Sequence, residues 1–134
     1  MTRREIWARR KRTLKAMAAL VKARLTVAWV PFERWRNSLG ATRGSQPGAQ
    51  ARQLAADIEW AAKKLPFDTK CLPRAMALSW MLRRRGILHA IVFAVRPREM
   101  RDSGDALHAW VEVEGVPILG YLPGPWIETT RLGE

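Results

Sequence analysis

The segment from Cys71 to Gly86 constrains the fold of this chain more than any other part of the sequence. It reads CLPRAMALSWMLRRRG and holds the only cysteine of the 134 residues. Apolar residues on nearly every face predict a buried helix, and Pro73 suits a helix's first turn. The arginines at 83–85 complement the negative end of a helix, and Gly86 is a typical stop. Cys71 is therefore expected at the N-terminus of a central helix, where free N–H groups and the helix dipole favour negative charge.

Two strands are predicted after this helix. The run ILHAIVFAV at 87–95 is short, apolar and rich in β-branched residues, whereas HAWVEVEG at 108–115 alternates between two faces. The alternation puts His108 and Glu112 on the same face of the second strand. The last segment, 121–134, is broken three times by Pro or Gly and predicts a loop and tail. Helices followed by paired strands indicate an α+β fold with a small antiparallel sheet.

The turn after the second strand decides which residue lies opposite the histidine. A three-residue turn over 113–115 places Glu112 opposite Val116 and His108 opposite Gly120. In this register, residue 120 is on the same face as His108 and within side-chain reach of it. The identity of residue 120 therefore bears directly on the surroundings of the imidazole.

Length and charge divide the chain into two regions of one domain. Residues 1–45 hold 12 Lys and Arg against two acids, so this region carries +10 of the chain's net charge of +12. It is predicted to be a basic helical region packed on the domain, with a helix over 2–25. The segment 38–50, rich in Gly, Ser and Pro, links it to a core region at 46–134 that begins with a helix over 50–65.

The basic region carries an apolar stripe at helical spacing, formed by Trp7, Leu14, Met17, Val21 and Leu25. One interpretation is that this stripe docks on the domain beneath a solvated basic face. A second, compatible with the first, is a basic arm that meets an acidic partner. The composition also resembles that of an amphipathic, acid-poor transit peptide.

Composition excludes several classes of protein. A single cysteine cannot form an internal disulfide or a zinc site of clustered cysteines, and no uncharged apolar run reaches the roughly 18 residues of a membrane span. The sequence has no glycine-rich phosphate loop and no recognised nucleic-acid motif, and its residues imply no metal or organic cofactor. These observations favour a cytoplasmic protein with no membrane span and no nucleic-acid partner.

Cys71 and His108 together form the arrangement that a cysteine nucleophile requires. A thiol at a helix N-terminus attacks a carbonyl, an imidazole removes and returns the proton, and N–H groups at the helix start hold the oxyanion. The alternative is structural, because a lone cysteine in a small domain is commonly buried and inert. His89 is a rival base, although its place within an apolar run favours a structural role.

The same residues resemble a known family. CLPRAMALSWMLRRRGI, then a strand, then LHAWVEVEG is similar to the leader peptidase of lasso-peptide biosynthesis in its peptidase-only form, a transglutaminase-like cysteine protease. The resemblance extends upstream to VPFERWRNSLG and IEWAAKKLP. It implies a transglutaminase-like (papain-like) fold, with 46–134 as the catalytic core and the cysteine-bearing helix packed on a small antiparallel sheet. It also implies removal of a leader peptide through an acyl-enzyme on Cys71, with His108 as general base and then acid.

The sequence departs from this family at one catalytic position. The family usually supplies an acid on the strand after the histidine strand, at the site that corresponds to Gly120 here, and residues 116–120 contain no acid. The remaining candidates for the orienting group are Asp105, Glu112, Tyr121 and a backbone carbonyl. A weak enzyme or an inactive relative is the other alternative.

The resemblance also implies partners. These are a precursor (leader) peptide, a macrolactam cyclase and a separate leader-recognition protein of the winged-helix type, because the 70 residues before Cys71 lead into the catalytic domain as helices. Two rival functions stay open. One is a transglutaminase-like module that holds the precursor without competent catalysis, and the other is a nucleic-acid or membrane-surface binder suggested by the basic charge.

Overall fold

The computed structural model describes residues 2–42, 48–97 and 107–133. Within these ranges, no helix is long and apolar enough to cross a membrane. The predicted boundary between residues 45 and 46 lies outside the described residues and stays a prediction. The helices are α1 (Arg3–Trp29), α2 (Phe32–Trp35), a 3₁₀ turn (Arg36–Ser38), α3 (Gly48–Lys64) and α4 (Cys71–Arg84), and the strands are β1 (Ala90–Val95), β2 (Leu107–Val113), β3 (Val116–Leu119) and β4 (Ile127–Gly133).

The helix α4 lies at the centre of the fold. It packs on α1 and α3 on one side and on β1 and β2 on the other. Met76, Leu78 and Leu82 are fully buried, as expected for a helix that is apolar all round. Gly86 adopts a φ of +69°, and the N–H of Ile87 donates to the carbonyl of Leu82 at 3.0 Å. The predicted buried helix and its glycine stop are confirmed.

The long helix α1 docks through a face other than the predicted apolar stripe. Ala16, Leu20 and Ala23 are fully buried on the side that packs against α3 and α4, whereas Trp7 and Leu25 point away and are exposed. Two alanines on the docked face allow the helix axes to approach closely, which favours this face over the bulkier one. The prediction that the stripe docks on the domain is therefore wrong for most of its length.

The sheet is antiparallel with the strand order β3-β2-β1-β4. The strand β1 begins at Ala90, three residues later than the predicted run, and pairs with β2 so that Ala94 lies opposite His108. Val111 on β2 is fully buried in the core that the sheet shares with α4. The α+β architecture with a cysteine-bearing helix on a small antiparallel sheet is confirmed.

The fourth strand corrects the prediction of a loop and tail for 121–134. Residues 127–133 pair with β1 along one edge of the sheet, where Leu132 lies opposite Ile91. Leu132 is the only buried residue of this strand. An edge strand that is exposed on almost every position shows no apolar alternation, so its sequence pattern gave no signal.

The turn between β2 and β3 also differs from the prediction. It has two residues, Glu114 and Gly115, both with positive φ (+54° and +75°), and Val113 pairs with Val116. A β-bulge at Val111 and Glu112 then shifts the register. The predicted pairing of His108 with Gly120 is therefore wrong. A Cβ built on Gly120 would lie 3.8 Å from Cα of Trp110, the neighbour that the shifted register gives it.

Candidate active site

Cys71 is the first residue of α4 and is half-buried. The preceding residue, Lys70, is extended and makes no hydrogen bond with its side chain to cap the helix. Pro73 has no N–H, so the N–H groups of Cys71 and Leu72 are the donors at the head of the helix. The sulfur thus lies where backbone donors and the positive end of the helix dipole converge.

Cys71 and His108 line the same cavity, which has a volume of about 430 Å³. The cavity opens at the junction of the helices and the sheet, so residues far apart in the chain meet there. Its lining combines α3, the start of α4, β2, the end of β3 and the loop that follows. The lining residues are Glu59, Thr69, Cys71, Arg74, Ala75, His108, Ala109, Leu119, Gly120, Tyr121 and Leu122.

The imidazole of His108 is held by a backbone group and an aromatic ring. Its Nε2 donates a hydrogen bond to the carbonyl of Gly120. A carbonyl can only accept, so Nε2 carries the proton and Nδ1 of the neutral ring is free to accept one. The ring also stacks on Trp126, with centroids 5.5 Å apart and planes 18° from parallel. These contacts fix both the tautomer and the orientation of the ring.

The loop that carries Trp126 is held by Arg96, which follows the last residue of β1. The guanidinium of Arg96 lies 3.8 Å from the centre of the Trp126 ring and donates to the carbonyl of Pro123 at 2.7 Å. The indole N–H of Trp126 donates to the carbonyl of Leu122 at 2.8 Å. Sequence reasoning missed Arg96, because an arginine just after a strand carries no motif.

Gly120 contributes its carbonyl because of its backbone conformation. Its φ is +82°, a region that favours glycine over residues with a side chain. Of the orienting groups that lie within the described residues, the backbone carbonyl of Gly120 is the one that hydrogen-bonds the imidazole. Gly120 therefore contacts the ring through its main chain.

The structure does not bring Glu112 to His108. One carboxylate oxygen accepts from the indole N–H of Trp110 at 2.8 Å, and the other accepts from Arg131 on β4 at 3.0 Å. Asp105 lies outside the described residues, so its predicted orienting role stays a prediction. Tyr121 lines the cavity and contacts the ring of Trp110 edge-on.

His89 is occupied elsewhere and does not compete as a base. It is fully buried, its Nδ1 donates to the carbonyl of Ile87 at 2.8 Å, and its Nε2 lies 2.6 Å from the hydroxyl of Ser79. That hydroxyl also accepts from the N–H of Gly40 at 2.8 Å. Burial lowers the pKa of His89 below its ordinary value, with a smaller contribution from the charge of Arg83. His89 is therefore a neutral, structural histidine.

A polar group on the cavity wall was not anticipated. Arg74 lies one turn after Cys71 on α4, donates to the hydroxyl of Thr69 at 3.1 Å and pairs with Glu59 at 3.5 Å. Residues three apart on a helix share a face, so the position of Arg74 relative to Cys71 was a usable signal. The guanidinium of Arg74 therefore lines the cavity of Cys71 while it is engaged with Thr69 and Glu59.

The family model described as the transglutaminase-like superfamily matches residues 17–131 of the chain. The chain belongs to the transglutaminase-like superfamily. The match covers the second half of α1 and every element that lines the cavity, so the predicted transglutaminase-like fold is confirmed. This superfamily includes cysteine peptidases. No curated protein and no solved structure gives a significant match.

Candidate metal ligands do not cluster in the described part of the chain. Among residues 2–42, 48–97 and 107–133, no group of three His, Cys, Asp or Glu side chains is placed to hold a metal ion. The groups in the described cavity include a thiol, an imidazole, a guanidinium, a carboxylate, two hydroxyls and backbone donors. Such a set is suited to nucleophilic and acid–base chemistry.

Proposed function

We propose that this transglutaminase-like protein is a cysteine endopeptidase that removes the leader from a ribosomally made lasso-peptide precursor. One observation carries the catalytic part of this proposal: Cys71 and His108 line one cavity, and the Gly120 carbonyl fixes the tautomer that leaves Nδ1 free. The substrate class is supported by the sequence resemblance alone.

The proposed reaction proceeds through an acyl-enzyme. Nδ1 of His108 takes the proton of the Cys71 thiol as the sulfur forms a bond with the scissile carbonyl carbon. The N–H groups at the head of α4 stabilise the oxyanion of the tetrahedral intermediate. When the intermediate collapses, the C–N bond breaks and the imidazolium gives its proton to the leaving amine. A water molecule, deprotonated by the same imidazole, then hydrolyses the thioester and releases the leader.

The carbonyl of Gly120 has a consequence for the rate. A neutral acceptor fixes the imidazole tautomer as well as a carboxylate does, but it stabilises the imidazolium less because it carries no full charge. We therefore expect a competent peptidase with a low turnover.

The proposed partners are the precursor peptide, a separate leader-recognition protein and a macrolactam cyclase that acts after cleavage. The reaction needs no cofactor, because every proton transfer is assigned to a side chain of this chain or to water. Arg74 is proposed to bind a carbonyl or acidic group of the precursor next to the scissile bond, since it lines the same cavity as Cys71.

The test is cleavage of a lasso precursor in the presence of its leader-recognition protein, followed by mass spectrometry. Wild type should release leader and core, and Cys71→Ala should release neither. The matched control is Lys70→Ala, which changes the exposed neighbouring residue and should retain cleavage. Cleavage that persists in Cys71→Ala would exclude a peptidase that acts through this thiol.

A second candidate is a precursor-binding module without catalysis. It is favoured by a specific observation: the described contacts of the His108 ring include a carbonyl and aromatic rings but no carboxylate. Binding of the precursor by wild type, with no cleavage under any combination of partners, would support this function over the peptidase.

A further inference from the structure

The outward face of α1 carries an apolar stripe, here called the outer stripe. Its members are Trp7, Leu14, Ala18, Val21, Leu25 and Trp29. At about 100° per residue, these six positions fall within about 80° of arc, on one side of the helix. The exposed fractions of the four largest are 59% for Trp7, 63% for Leu14, 54% for Leu25 and 82% for Trp29. An exposed apolar surface of this extent indicates an interaction site.

The outer stripe lies on the outermost layer of the fold. The opposite face of α1 packs on α3 and α4, and α4 separates α1 from β1 and β2. Towards the C-terminal end, Val21, Leu25 and Trp29 of the stripe form a shallow apolar surface together with Val30. Among the described residues, the stripe therefore has no covering element and is free to meet an external surface.

Cations border the outer stripe on both sides. One border repeats at helical spacing and the other at intervals of seven and fourteen residues, so both follow the stripe along the helix. Glu5 is the only acid in α1, and it is occupied in capping the first turn with Thr2. The first border consists of Arg4, Lys11, Lys15 and Lys22, and the second of Arg3, Arg10 and Arg24. Lys22 stacks on the ring of Trp80 and Arg24 on the ring of Phe67, so the other five cations carry the charge that meets an external surface.

We propose that the outer stripe lies on an anionic lipid surface, with α1 parallel to the plane of the membrane. A helix with an apolar face of Trp and Leu and flanking Lys and Arg binds at the boundary of headgroups and acyl chains. Trp7 and Trp29 stand about 33 Å apart, one at each end, and tryptophan favours this interface. The cations on both borders meet the anionic headgroups that flank the inserted side chains.

The positive charge of α1 argues against a second copy of the chain as the partner of the outer stripe. Two outer stripes packed face to face would bring the five outward cations of one copy against the same five of the other, and like charges in proximity oppose association. A lipid surface supplies a continuous field of opposite sign instead. The charge pattern therefore favours the membrane over self-association.

The proposed orientation leaves the catalytic cavity open. No residue of α1 lines the described cavity of Cys71 and His108, which is formed by α3, α4 and the sheet. Membrane binding and peptide cleavage are consequently separable, and the lipid proposal does not depend on the peptidase proposal.

The experiment is co-sedimentation of the full chain with vesicles. Wild type should bind vesicles of mixed phosphatidylglycerol and phosphatidylcholine, bind pure phosphatidylcholine weakly, and lose binding as salt is raised. Trp7→Ser combined with Trp29→Ser should lower the partition coefficient by about tenfold or more, because both inserted rings are lost. The matched control is Trp60→Ser, which removes an exposed tryptophan of α3 and should retain binding.

A second pair of variants tests the charge. Arg4→Gln with Lys11→Gln removes two border cations and should weaken binding, whereas Arg34→Gln with Lys63→Gln removes two exposed cations elsewhere and should not. Circular dichroism checks that each variant folds, which is expected because all these residues are on the surface. Absence of vesicle binding would overturn the proposal, as would equal losses in the stripe and control variants. A dimer abolished by the tryptophan pair, without vesicle binding, would assign the stripe to self-association instead.

Discussion

Replacing Gly120 tests the role of its carbonyl. With φ at +82°, a Cβ at this position would lie 3.3 Å from the carbonyl oxygen of Ala109, so Gly120→Ala meets both backbone strain and a tight contact. An L-residue in the left-handed region costs about 1–2 kcal/mol, which corresponds to a fall of roughly 4–7 °C in Tm for a chain of this size. If the backbone relaxes to relieve this strain, the carbonyl moves away from Nε2 of His108.

The expected loss of activity can be estimated from that hydrogen bond. A hydrogen bond to a charged group contributes about 1.5–3 kcal/mol, so losing the one that supports the imidazolium should slow cleavage roughly 10- to 100-fold. Gly120→Asp should not restore the rate, because its Cβ points towards Ala109 and Trp110. The assay is leader cleavage under single-turnover conditions, with Tm measured in parallel.

Gly115→Ala is the matched control for Gly120→Ala. Gly115 has a similar φ of +75°, but a Cβ there meets nothing within 4 Å. It should therefore lose stability from the same backbone cause and keep its cleavage rate. The reasoning fails if Gly120→Ala and Gly115→Ala cleave at equal rates, or if Gly120→Asp is faster than wild type.

Three further predictions concern His89, Glu112 and Asp105. Because burial lowers the pKa of His89 below 6.5, the unfolded chain binds more protons than the folded one as pH falls below that value. The free energy of unfolding should therefore decrease as the pH is lowered, by up to about 1.4 kcal/mol per pH unit. Tm should drop between about pH 7.5 and pH 5.5 in wild type and in the control His108→Gln alike. A flat profile would contradict this. Glu112→Gln should cost at most about 1 kcal/mol from its partly exposed pair with Arg131 and leave cleavage unchanged. Asp105→Asn tests the predicted orienting role of Asp105: cleavage is retained if the Gly120 carbonyl alone holds the ring, and a loss of about a hundredfold in either variant would show that a carboxylate orients it.

The cysteine-bearing helix could be predicted because its signals are local. Pro73 near the start, apolar residues on all sides and Gly86 at the end each act within a few residues of Cys71. The strand of His108 was equally clear from its alternation. These elements indicate the α+β class, and they carry both reactive residues, Cys71 on the helix and His108 on the strand.

The surroundings of His108 could not be predicted, because they depend on the main chain. Glu114 is a non-glycine residue with positive φ, and the bulge at Val111 and Glu112 leaves no mark in the side-chain pattern. Both features shift the register that the sequence suggests. The carbonyl of Gly120 reaches the ring in a way that side-chain identity does not reveal.

The face of α1 that packs on the domain could not be predicted, for a different reason. Hydrophobic periodicity ranks faces by apolar size, and by that measure Trp7 and Leu25 outrank Ala16 and Ala23. Close helix packing instead favours small residues, and the larger face is left exposed. The outer stripe is exposed because the face of α1 with the largest apolar residues is not the face that packs on α3 and α4.

Trapping the acyl-enzyme tests the central claim most directly. Wild type is mixed with the precursor and its leader-recognition protein, quenched in acid within one turnover, and its intact mass is measured. The account predicts an added mass equal to the leader less one water, located at Cys71 by peptide mapping, released by hydroxylamine and absent in Cys71→Ala. Release of the leader without such an adduct, or an adduct on any other residue, would contradict catalysis by Cys71.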